Sequence, residues 1–255
     1  MYSYVCVLST NDYLDGVLVL NENLKRLKSK YPLLCLISQN INDETRHILD
    51  EFEIKYKVAP ALDVNGIDAP GRWKFTFDKL NIFNLTEYEK IVYLDSDFLI
   101  LENLDHLFDI KKFAMVCDAT HDHKYFCSAL MVIMPNKDDY NGLVNLFNKK
   151  NEEHAEGIGD QDIINEYFNN IFEISLEYNF IKGIKKELIT FVDEKTNELV
   201  TKHVCKDYYG TSNPVIIHYF GELKPFMLDK EFDDIYCDLY FEYLNYIRDK
   251  KKTIK

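Results

Sequence analysis

The sequence is poor in chain-breaking residues and in positive charge. Its 255 residues include only 9 glycines and 6 prolines, which leaves little length for disordered linkers and favours one large domain. The 30 Lys and Arg residues are outnumbered by 43 Asp and Glu residues, so the net charge is −13. A nucleic acid as a major partner would require a basic surface, and this charge balance therefore argues against one.

Long apolar runs and paired cysteines are also missing. The sequence has no run of about twenty apolar residues, so we expect no membrane span. Its start, MYSYVCVLST, lacks a charged leader, and we interpret it as a first strand and not a signal peptide. The 6 cysteines are scattered without a Cys-x-x-Cys pair, which favours reduced thiols. These features predict a cytoplasmic protein.

Apolar runs alternate with helical periodicity near the start of the chain. The runs predict strands over Tyr2–Leu8, Leu33–Ile37 and 54–58, with helices between them over 14–30 and around Ile48. This order is typical of a parallel sheet with right-handed crossovers. We therefore predict an α/β fold with a mostly parallel central sheet flanked by helices, although the chain has no Gly-x-Gly-x-x-Gly motif.

The rest of the chain gives a coarser pattern. We predict a loop over 59–71, helices over 75–83 and 138–149, and strands over 91–94, 114–118, 130–134 and 215–218. The segment 173–209 has no clear periodicity, and its elements stay unassigned. An apolar stripe at helical spacing over 229–249 predicts a C-terminal helix.

Two carboxylates follow the predicted strand over 91–94. Asp95 and Asp97 flank Ser96, and the chain turns apolar again directly afterwards. A divalent cation such as Mg²⁺ or Mn²⁺ would offset their repulsion, and ligands often bind at the carboxyl ends of strands in open α/β sheets. We expect such carboxylates to be assembled against repulsion, so that losing one leaves the metal-free fold intact. The alternative is a solvated turn, because Asp and Ser are common in turns.

Two other polar segments are less specific. A flexible Gly157-Ile158-Gly159 turn leads into Asp160-Gln161-Asp162, where ordinary helix capping is the alternative to a functional role. His121-Asp122-His123 lies in a predicted polar loop, which we interpret as a solvated surface because no further ligand is adjacent.

Four separated segments together resemble one known family. They read LSTNDYLDGVLVL, FDKLNIFNLTEYEKIVYLDSDFLILENLDHLF, GDQDIINEYF and HYFGELKPF. In this order they are similar to the family-8 retaining glycosyltransferases, both to the glycogenin branch and to the plant galactinol synthases. The resemblance implies a single-domain, nucleotide-sugar-binding fold of the GT-A type. It further implies a catalytic domain over 1–228, with the helix of 229–255 packed on the same domain.

The resemblance also implies ligands for a metal and for a UDP-sugar donor. It makes Asp95, Asp97 and His218 the ligands of Mn²⁺, with Mg²⁺ as the alternative ion. Donor contacts are implied for Leu8, Thr10, Asn11, Tyr13, Arg72, Asp95, Ser96, Ser128, Gly221 and Lys224. A histidine and two carboxylates suit a borderline cation such as Mn²⁺.

Catalytic roles are implied for four residues: Lys79, Asp160, Gln161 and Lys224. Lys224 would stabilise the negative charge on the departing UDP, and Lys79 would lie near the donor phosphates and sugar. Asp160 would hold the hydroxyls of the transferred sugar, and Gln161 would steady its developing positive charge. Glycosyl transfer by this front-face route would retain the anomeric configuration.

Donor and acceptor stay open at this point. Cys127 stands where family members commonly have an asparagine that contacts the donor sugar, and a thiol is a much weaker hydrogen-bonding group. Glucose is the first choice of hexose, and the acceptor would be a protein tyrosine or a glycan. The alternatives are galactose transfer to a small polyol or glycan, and a nucleotide-sugar-binding module without activity. A second copy of the chain, in a homodimer, is a further candidate partner.

Overall fold

The computed structural model describes residues 1–68, 71–118, 125–192, 199–209, 213–228 and 234–254. Strands and helices alternate at the start, as predicted: β1 (Tyr2–Leu8), α1 (Leu14–Arg26), β2 (Leu33–Ile37), α2 (Asp43–Glu51) and β3 (Lys55–Val58). The side chain of Asn42 caps α2 by accepting a hydrogen bond from the Thr45 amide at 2.8 Å. α1 ends before the predicted residue 30, because Lys28 adopts a left-handed backbone with φ of 56°.

The middle of the chain adds the strands that carry most site residues. The elements are β4 (Lys90–Leu94), β5 (Phe98–Ile100), β6 (Ala114–Cys117), β7 (Phe126–Ile133), α3 (Lys137–Glu152), α4 (Asp160–Tyr167) and β8 (Phe172–Ile174). The helix predicted over 75–83 is a 3₁₀ segment, Gly71–Asn84. The strand predicted over 130–134 begins earlier, at Phe126. All eight residues of β7 are buried.

The segment that sequence patterns left unassigned forms a long hairpin. It contains β9 (Phe180–Val192) and β10 (Leu199–Tyr209), and it is followed by β11 (Ile216–Phe220) and α5 (Ile235–Lys251). The side chain of Asp234 caps α5 by accepting hydrogen bonds from the amides of Tyr236 and Cys237.

The strands form two sheets. A seven-stranded sheet has the order β3-β2-β1-β4-β7-β6-β8, in which β7 is antiparallel to both neighbours and the other pairs are parallel. A four-stranded sheet has the order β10-β9-β11-β5. This arrangement is a single α/β domain with a mostly parallel central sheet flanked by helices, which confirms the predicted fold class.

The central strand β4 separates two apolar cores. Val92 and Leu94 face a cluster that contains residues of α1 and α5, whereas Ile91 and Tyr93 face a second cluster beneath α3 and α4. α5 contributes its buried Tyr240 to the first of these cores. Because alternate residues of β4 serve opposite cores, the strand is fixed on both faces and presents its carboxyl end in a defined place.

Two further sequence predictions can be compared with the structure. Within the described ranges, no helix combines the length and the apolarity needed to cross a bilayer. All 6 cysteines are free thiols, and four of them (Cys6, Cys35, Cys127 and Cys237) are buried in the first of the two cores.

Candidate active site

The Asp-Ser-Asp turn lies where the two sheets meet. The Asp95 amide donates to the carbonyl oxygen of Ala129 in β7 at 2.9 Å, and the Asp97 carbonyl accepts from the Tyr219 amide in β11 at 3.1 Å. Each aspartate backbone is therefore held by a different sheet. Gly16 lies beneath the turn, and a Cβ atom there would come within 2.6 Å of the Ser96 carbonyl oxygen. Only glycine lets α1 approach the turn this closely.

Asp95, Asp97 and His218 form a group that could hold a metal ion. One ligand atom from each lies within 4.8 Å of the others. The pairing of β5 with β11 creates this group, because it sets Phe98 opposite His218 and so brings the imidazole beside the turn. The His218 Nε2 atom lies 3.6 Å from Asp97 Oδ1. That buried oxygen has no hydrogen-bond partner within the described residues, and a cation would satisfy it.

Each of the two aspartates is also paired with a buried lysine. The Lys224 ammonium donates to Asp97 Oδ2 at 2.6 Å and to the Tyr219 carbonyl at 2.8 Å. The Lys79 ammonium lies 3.3 Å from Asp95 Oδ1, which also accepts a hydrogen bond from the Tyr93 hydroxyl. The carboxylates are thus compensated by protein cations before any metal binds. The buried Lys224–Asp97 pair argues against the expectation that losing Asp97 leaves the fold intact, since the ammonium would lose its partner carboxylate.

These environments separate the acidities of the two carboxyl groups. Burial raises the pKa of Asp95 to about 6, against the lowering effect of Lys79 and with a further rise from the charge of Asp97. Burial also acts to raise the pKa of Asp97, but the charges of Lys224 and His218 outweigh it and leave the pKa below its usual value. Asp97 is therefore ionised over a wider pH range than Asp95.

The pKa values of His218 and Lys79 are also shifted by burial and by neighbouring charges. Burial lowers the pKa of His218 to about 4, although the charge of Asp97 opposes this. The imidazole is therefore neutral at pH 7 and can offer a lone pair to a metal. Burial would lower the pKa of Lys79 as well, but the charges of Asp160 and Asp95 outweigh it and raise the pKa. Lys79 stays positively charged.

A second network joins the start of α4 to β7. Ser128 Oγ donates to Asp160 Oδ2 at 2.6 Å, and the Lys79 ammonium lies 3.0 Å from the same oxygen. The Gln161 side chain accepts from the Ser128 amide at 3.1 Å and donates to Asp118 Oδ2 at 2.9 Å. Asp160 does not serve as the helix cap in this arrangement. Asp162 takes that role instead, by accepting from the Gly159 amide at 2.7 Å.

Asp118 is a site residue that was not predicted from the sequence. Its buried carboxylate directly follows β6 and orients the amide of Gln161. The only sequence signal was that an acidic residue ends the strand predicted over 114–118, a position similar to that of Asp95 after the strand predicted over 91–94. That signal is weak, because Asp is also common in turns.

The residues expected to hold the uridine lie at the end of β1 and in the short segment before α1. Leu8 is buried at the end of β1, and Thr10 donates its hydroxyl to the Asp12 carboxylate. Asn11 is exposed, and its side-chain oxygen accepts from the Asn42 amide at 3.2 Å. The ring of Tyr13 packs edge-on against Phe226, with the ring centroids 5.3 Å apart.

The remaining candidates are placed as follows. Gly221 has φ of 99°, a left-handed backbone that glycine adopts without strain, and open space surrounds it. Ser96 is buried within the turn. The side chain of Arg72 and the segment His121-Asp122-His123 lie outside the described residues. The structure thus joins one set of side chains into a continuous site: Lys79, Asp95, Asp97, Ser128, Asp160, Gln161, His218 and Lys224.

Nearly the whole chain matches one protein-family model. Residues 4–227 match the model of Glycosyl transferase family 8. Glycogenin-1 from Caenorhabditis elegans is 29% identical over 226 residues, which cover 86% of this chain and 49% of that protein. Galactinol synthase 1 from Solanum lycopersicum is 30% identical over 207 residues, which cover 70% of this chain and 64% of that protein. The chain spans about half of the first relative and just under two thirds of the second.

A solved structure shares the same architecture. The crystal structure of galactosyltransferase LgtC in complex with donor and acceptor sugar analogs matches with a TM-score of 0.72 over 96% of both chains. The sequence identity is 15%, so this likeness concerns the fold. It agrees with the predicted GT-A type of fold.

Proposed function

Since the chain belongs to glycosyl transferase family 8 and is a retaining glycosyltransferase, we propose that it transfers a hexose from a UDP-sugar to an acceptor hydroxyl with Mn²⁺ as cofactor. The observation that carries this proposal is the buried Asp97 Oδ1 atom. It has no hydrogen-bond partner within the described residues, and it faces His218 beside Asp95. A nitrogen and carboxylate oxygens in this arrangement suit Mn²⁺, with Mg²⁺ as the alternative.

The donor diphosphate would lie on the Lys224 side of the site. Asp95, Asp97 and His218 would hold the cation, which when bound neutralises charge on the diphosphate. The ammonium of Lys224 is buried and fixed by Asp97 and the Tyr219 carbonyl, so it is preorganised for the charge that grows on departing UDP. Gly221 would let the backbone approach the phosphates closely.

The sugar would lie on the Lys79 side. Asp160 accepts from Ser128 and pairs with Lys79, which fixes its carboxylate where it would hold sugar hydroxyls. Gln161 is held between Asp118 and the Ser128 amide, so its side-chain oxygen is fixed in place to steady the positive charge that develops on the sugar. In the proposed front-face route, the acceptor oxygen would bond to the anomeric carbon on the face from which UDP departs, and the departing diphosphate would take the acceptor's proton. The product would then keep the configuration of the donor.

The uridine would contact the first strand and the turn after it. The proposed contacts are Leu8, Thr10, Asn11 and Tyr13, with Arg72 and Ser96 as further donor contacts. The edge-on packing of Tyr13 on Phe226 supports a fixed ring at this edge. We place the catalytic domain at 1–228, with the helix within 229–255 as part of its core, and the protein in the cytoplasm, where free cysteines persist.

The choice of hexose and acceptor rests on weaker support. We propose glucose first, transferred to a protein tyrosine or a glycan, because the chain is similar to a glycogenin. Galactose transfer to a small polyol or glycan is the second candidate, and the similarity to galactinol synthase 1 supports it. Cys127 precedes Ser128 in β7, and burial raises the pKa of its thiol to about 12. It therefore stays a weak, uncharged contact for either sugar.

The test is UDP release from a panel of UDP-sugars with Mn²⁺ present and after chelation. We expect UDP release that requires the metal. Mass spectrometry of the incubated protein shows whether the chain itself accepts the sugar. For an isolated product, NMR should show an α-linkage from a UDP-α-sugar. Binding of a UDP-sugar without any release would favour the non-catalytic binding module, and a β-linked product would contradict retention.

A further inference from the structure

Behind the candidate metal ligand His218 lies a buried amide, that of Asn179. Asn179 follows a short 3₁₀ segment, Leu176–Tyr178, and precedes β9. Its side-chain oxygen lies 2.8 Å from Nδ1 of His218, and both residues are almost fully buried. The parallel pairing of β9 with β11 sets His218 opposite Ile181, so two strands fix the distance between the amide and the ring.

This contact determines which nitrogen of His218 carries its proton. The Asn179 oxygen can only accept, so Nδ1 must donate and the proton of the neutral ring lies there. Nε2 is then left with a bare lone pair, and it is this atom that lies 3.6 Å from Asp97 Oδ1. The opposite amide orientation would put the proton on Nε2 and remove the lone pair that a metal needs.

The amide has no other evident task. Its Nδ2 atom is buried and has no hydrogen-bond partner within the described residues, so the contact with His218 is the one side-chain hydrogen bond that the structure gives it. A half-satisfied buried amide is destabilising, which makes it a poor choice for a purely structural position. The ring of Phe98 packs edge-on against the imidazole of His218, with the ring centroids 5.0 Å apart, and this contact restricts rotation of the imidazole.

We infer that Asn179 is a positioning residue that holds His218 in the Nδ1–H form, with Nε2 ready to bind the cation. This inference rests on the metal site of the proposed function. Asn179 acts through His218 and does not touch the metal or the donor itself.

Two substitutions separate this role from simple packing. Asn179→Leu keeps the approximate volume but removes the acceptor, whereas Asn179→Asp keeps an acceptor at the same place. Asn21→Leu is the matched control, because Asn21 is another buried asparagine whose side chain hydrogen-bonds to the carbonyl of Phe52 at 3.4 Å. Thermal unfolding shows which variants are folded.

The first measurement is the ¹⁵N NMR signature of His218 in the metal-free protein. Wild type and Asn179→Asp should show the Nδ1–H form, and Asn179→Leu should shift toward the Nε2–H form. The second is Mn²⁺ affinity by titration in the presence of UDP. Asn179→Leu should bind Mn²⁺ about 10- to 100-fold more weakly, the usual loss for an outer partner of a metal ligand. Asn179→Asp and Asn21→Leu should bind it nearly as wild type does.

The results distinguish failure of the inference from failure of the function. An Nε2–H ring in wild type would overturn the inference directly, even if Asn179→Leu does not fold. Equal Mn²⁺ affinity in wild type and a folded Asn179→Leu would also overturn it, while leaving the metal site in place. Absence of Mn²⁺ binding in wild type would instead overturn the metal-dependent function.

Discussion

The two buried lysines of the site belong to different parts of the fold and have different surroundings. Lys79 comes from the 3₁₀ segment beside the seven-stranded sheet and contacts Asp95, Asp160 and Ser128. Lys224 follows the four-stranded sheet and contacts Asp97 and a backbone carbonyl. Lys79 thus contacts polar groups of α4, β7 and the Asp-Ser-Asp turn, whereas Lys224 contacts one carboxylate and one backbone carbonyl.

This difference indicates a division of work within one site. The Lys79 side is built of neutral and acidic hydrogen-bonding groups that suit sugar hydroxyls, whereas the Lys224 side joins the metal group and suits a diphosphate. Asp95 and Asp97, one residue apart, take one side each. The Asp-Ser-Asp turn therefore lies between a proposed sugar side and a proposed leaving-group side.

Breaking the Lys224 side at Asp97 should have the largest effect. Asp97→Asn removes a proposed metal ligand and leaves the Lys224 ammonium buried beside a neutral amide. We expect transfer to fall below detection and the free energy of unfolding to fall by about 3–5 kcal/mol, because one partner of a buried pair is lost. UDP release and urea denaturation measure the two effects.

Asp249→Asn is the control for that substitution. Asp249 pairs with Lys252 at 2.8 Å on the surface, where both side chains are exposed. Since exposed pairs contribute little, neither activity nor stability should change. A fully stable Asp97→Asn protein would show that the buried pair does not support the fold.

Breaking the other side at Lys79 should lower turnover by about 100-fold, the usual cost of losing one preorganised charge. Lys79→Met leaves the Asp160 carboxylate without its cation and disturbs its hold on the sugar. Affinity for UDP at saturating Mn²⁺ should fall much less than turnover, because free UDP lacks the transferred hexose and Lys79 reaches the metal group only through its pairing with Asp95. Lys57→Met, at a surface pair with Glu87, is the control. An equal loss of UDP affinity would show that the two sides are not separate.

Lys224→Ala tests the leaving-group side of the proposed site. We expect turnover to fall by about 10- to 100-fold and the Michaelis constant for the UDP-sugar to rise less, if the charge acts mainly on departing UDP. Steady-state kinetics at saturating Mn²⁺ provide the measurement. A raised Michaelis constant with unchanged turnover would make Lys224 a ground-state contact for the diphosphate.

Acidification should produce the smallest effect, and through Asp95 alone. The pKa of Asp95 is raised to about 6, so this ligand gains a proton as the pH falls from 7 to 5, whereas the pKa of His218 is about 4 and that of Asp97 is lowered. Metal ligands must be deprotonated, so Mn²⁺ affinity should fall about tenfold over that range. A constant affinity down to pH 5 would contradict the combination of a raised pKa at Asp95 and a metal-ligand role for its carboxylate.

Features that depend on residues close together in the sequence could be predicted. The apolar run before Asp95 predicted β4, and the spacing of Asp95 and Asp97 predicted a cation site at its end. The strand that ends in a histidine was also visible, although only the family resemblance connected His218 with the turn. These features need no knowledge of what packs against them.

Features that depend on distant partners could not be predicted in this way. Lys224 and Asp97 are 127 residues apart, and their ion pair appears only once β5 and β11 are placed side by side. Asn179 lies in the segment without clear periodicity, where the alternation of β9 and β10 is irregular because of bulges. The 3₁₀ segment that carries Lys79 was predicted as a helix, since both give similar apolar spacing.

Both sides of the proposed site depend on the metal group of Asp95, Asp97 and His218, and Mn²⁺ binding tests that group most directly. The decisive measurement is a titration of Mn²⁺ followed by electron paramagnetic resonance, with UDP present, for wild type and for His218→Ala. We predict one bound Mn²⁺ per wild-type chain. His218→Ala should lose that binding while keeping the wild-type circular dichroism spectrum. Equal binding in the two proteins, or none in wild type, would contradict it.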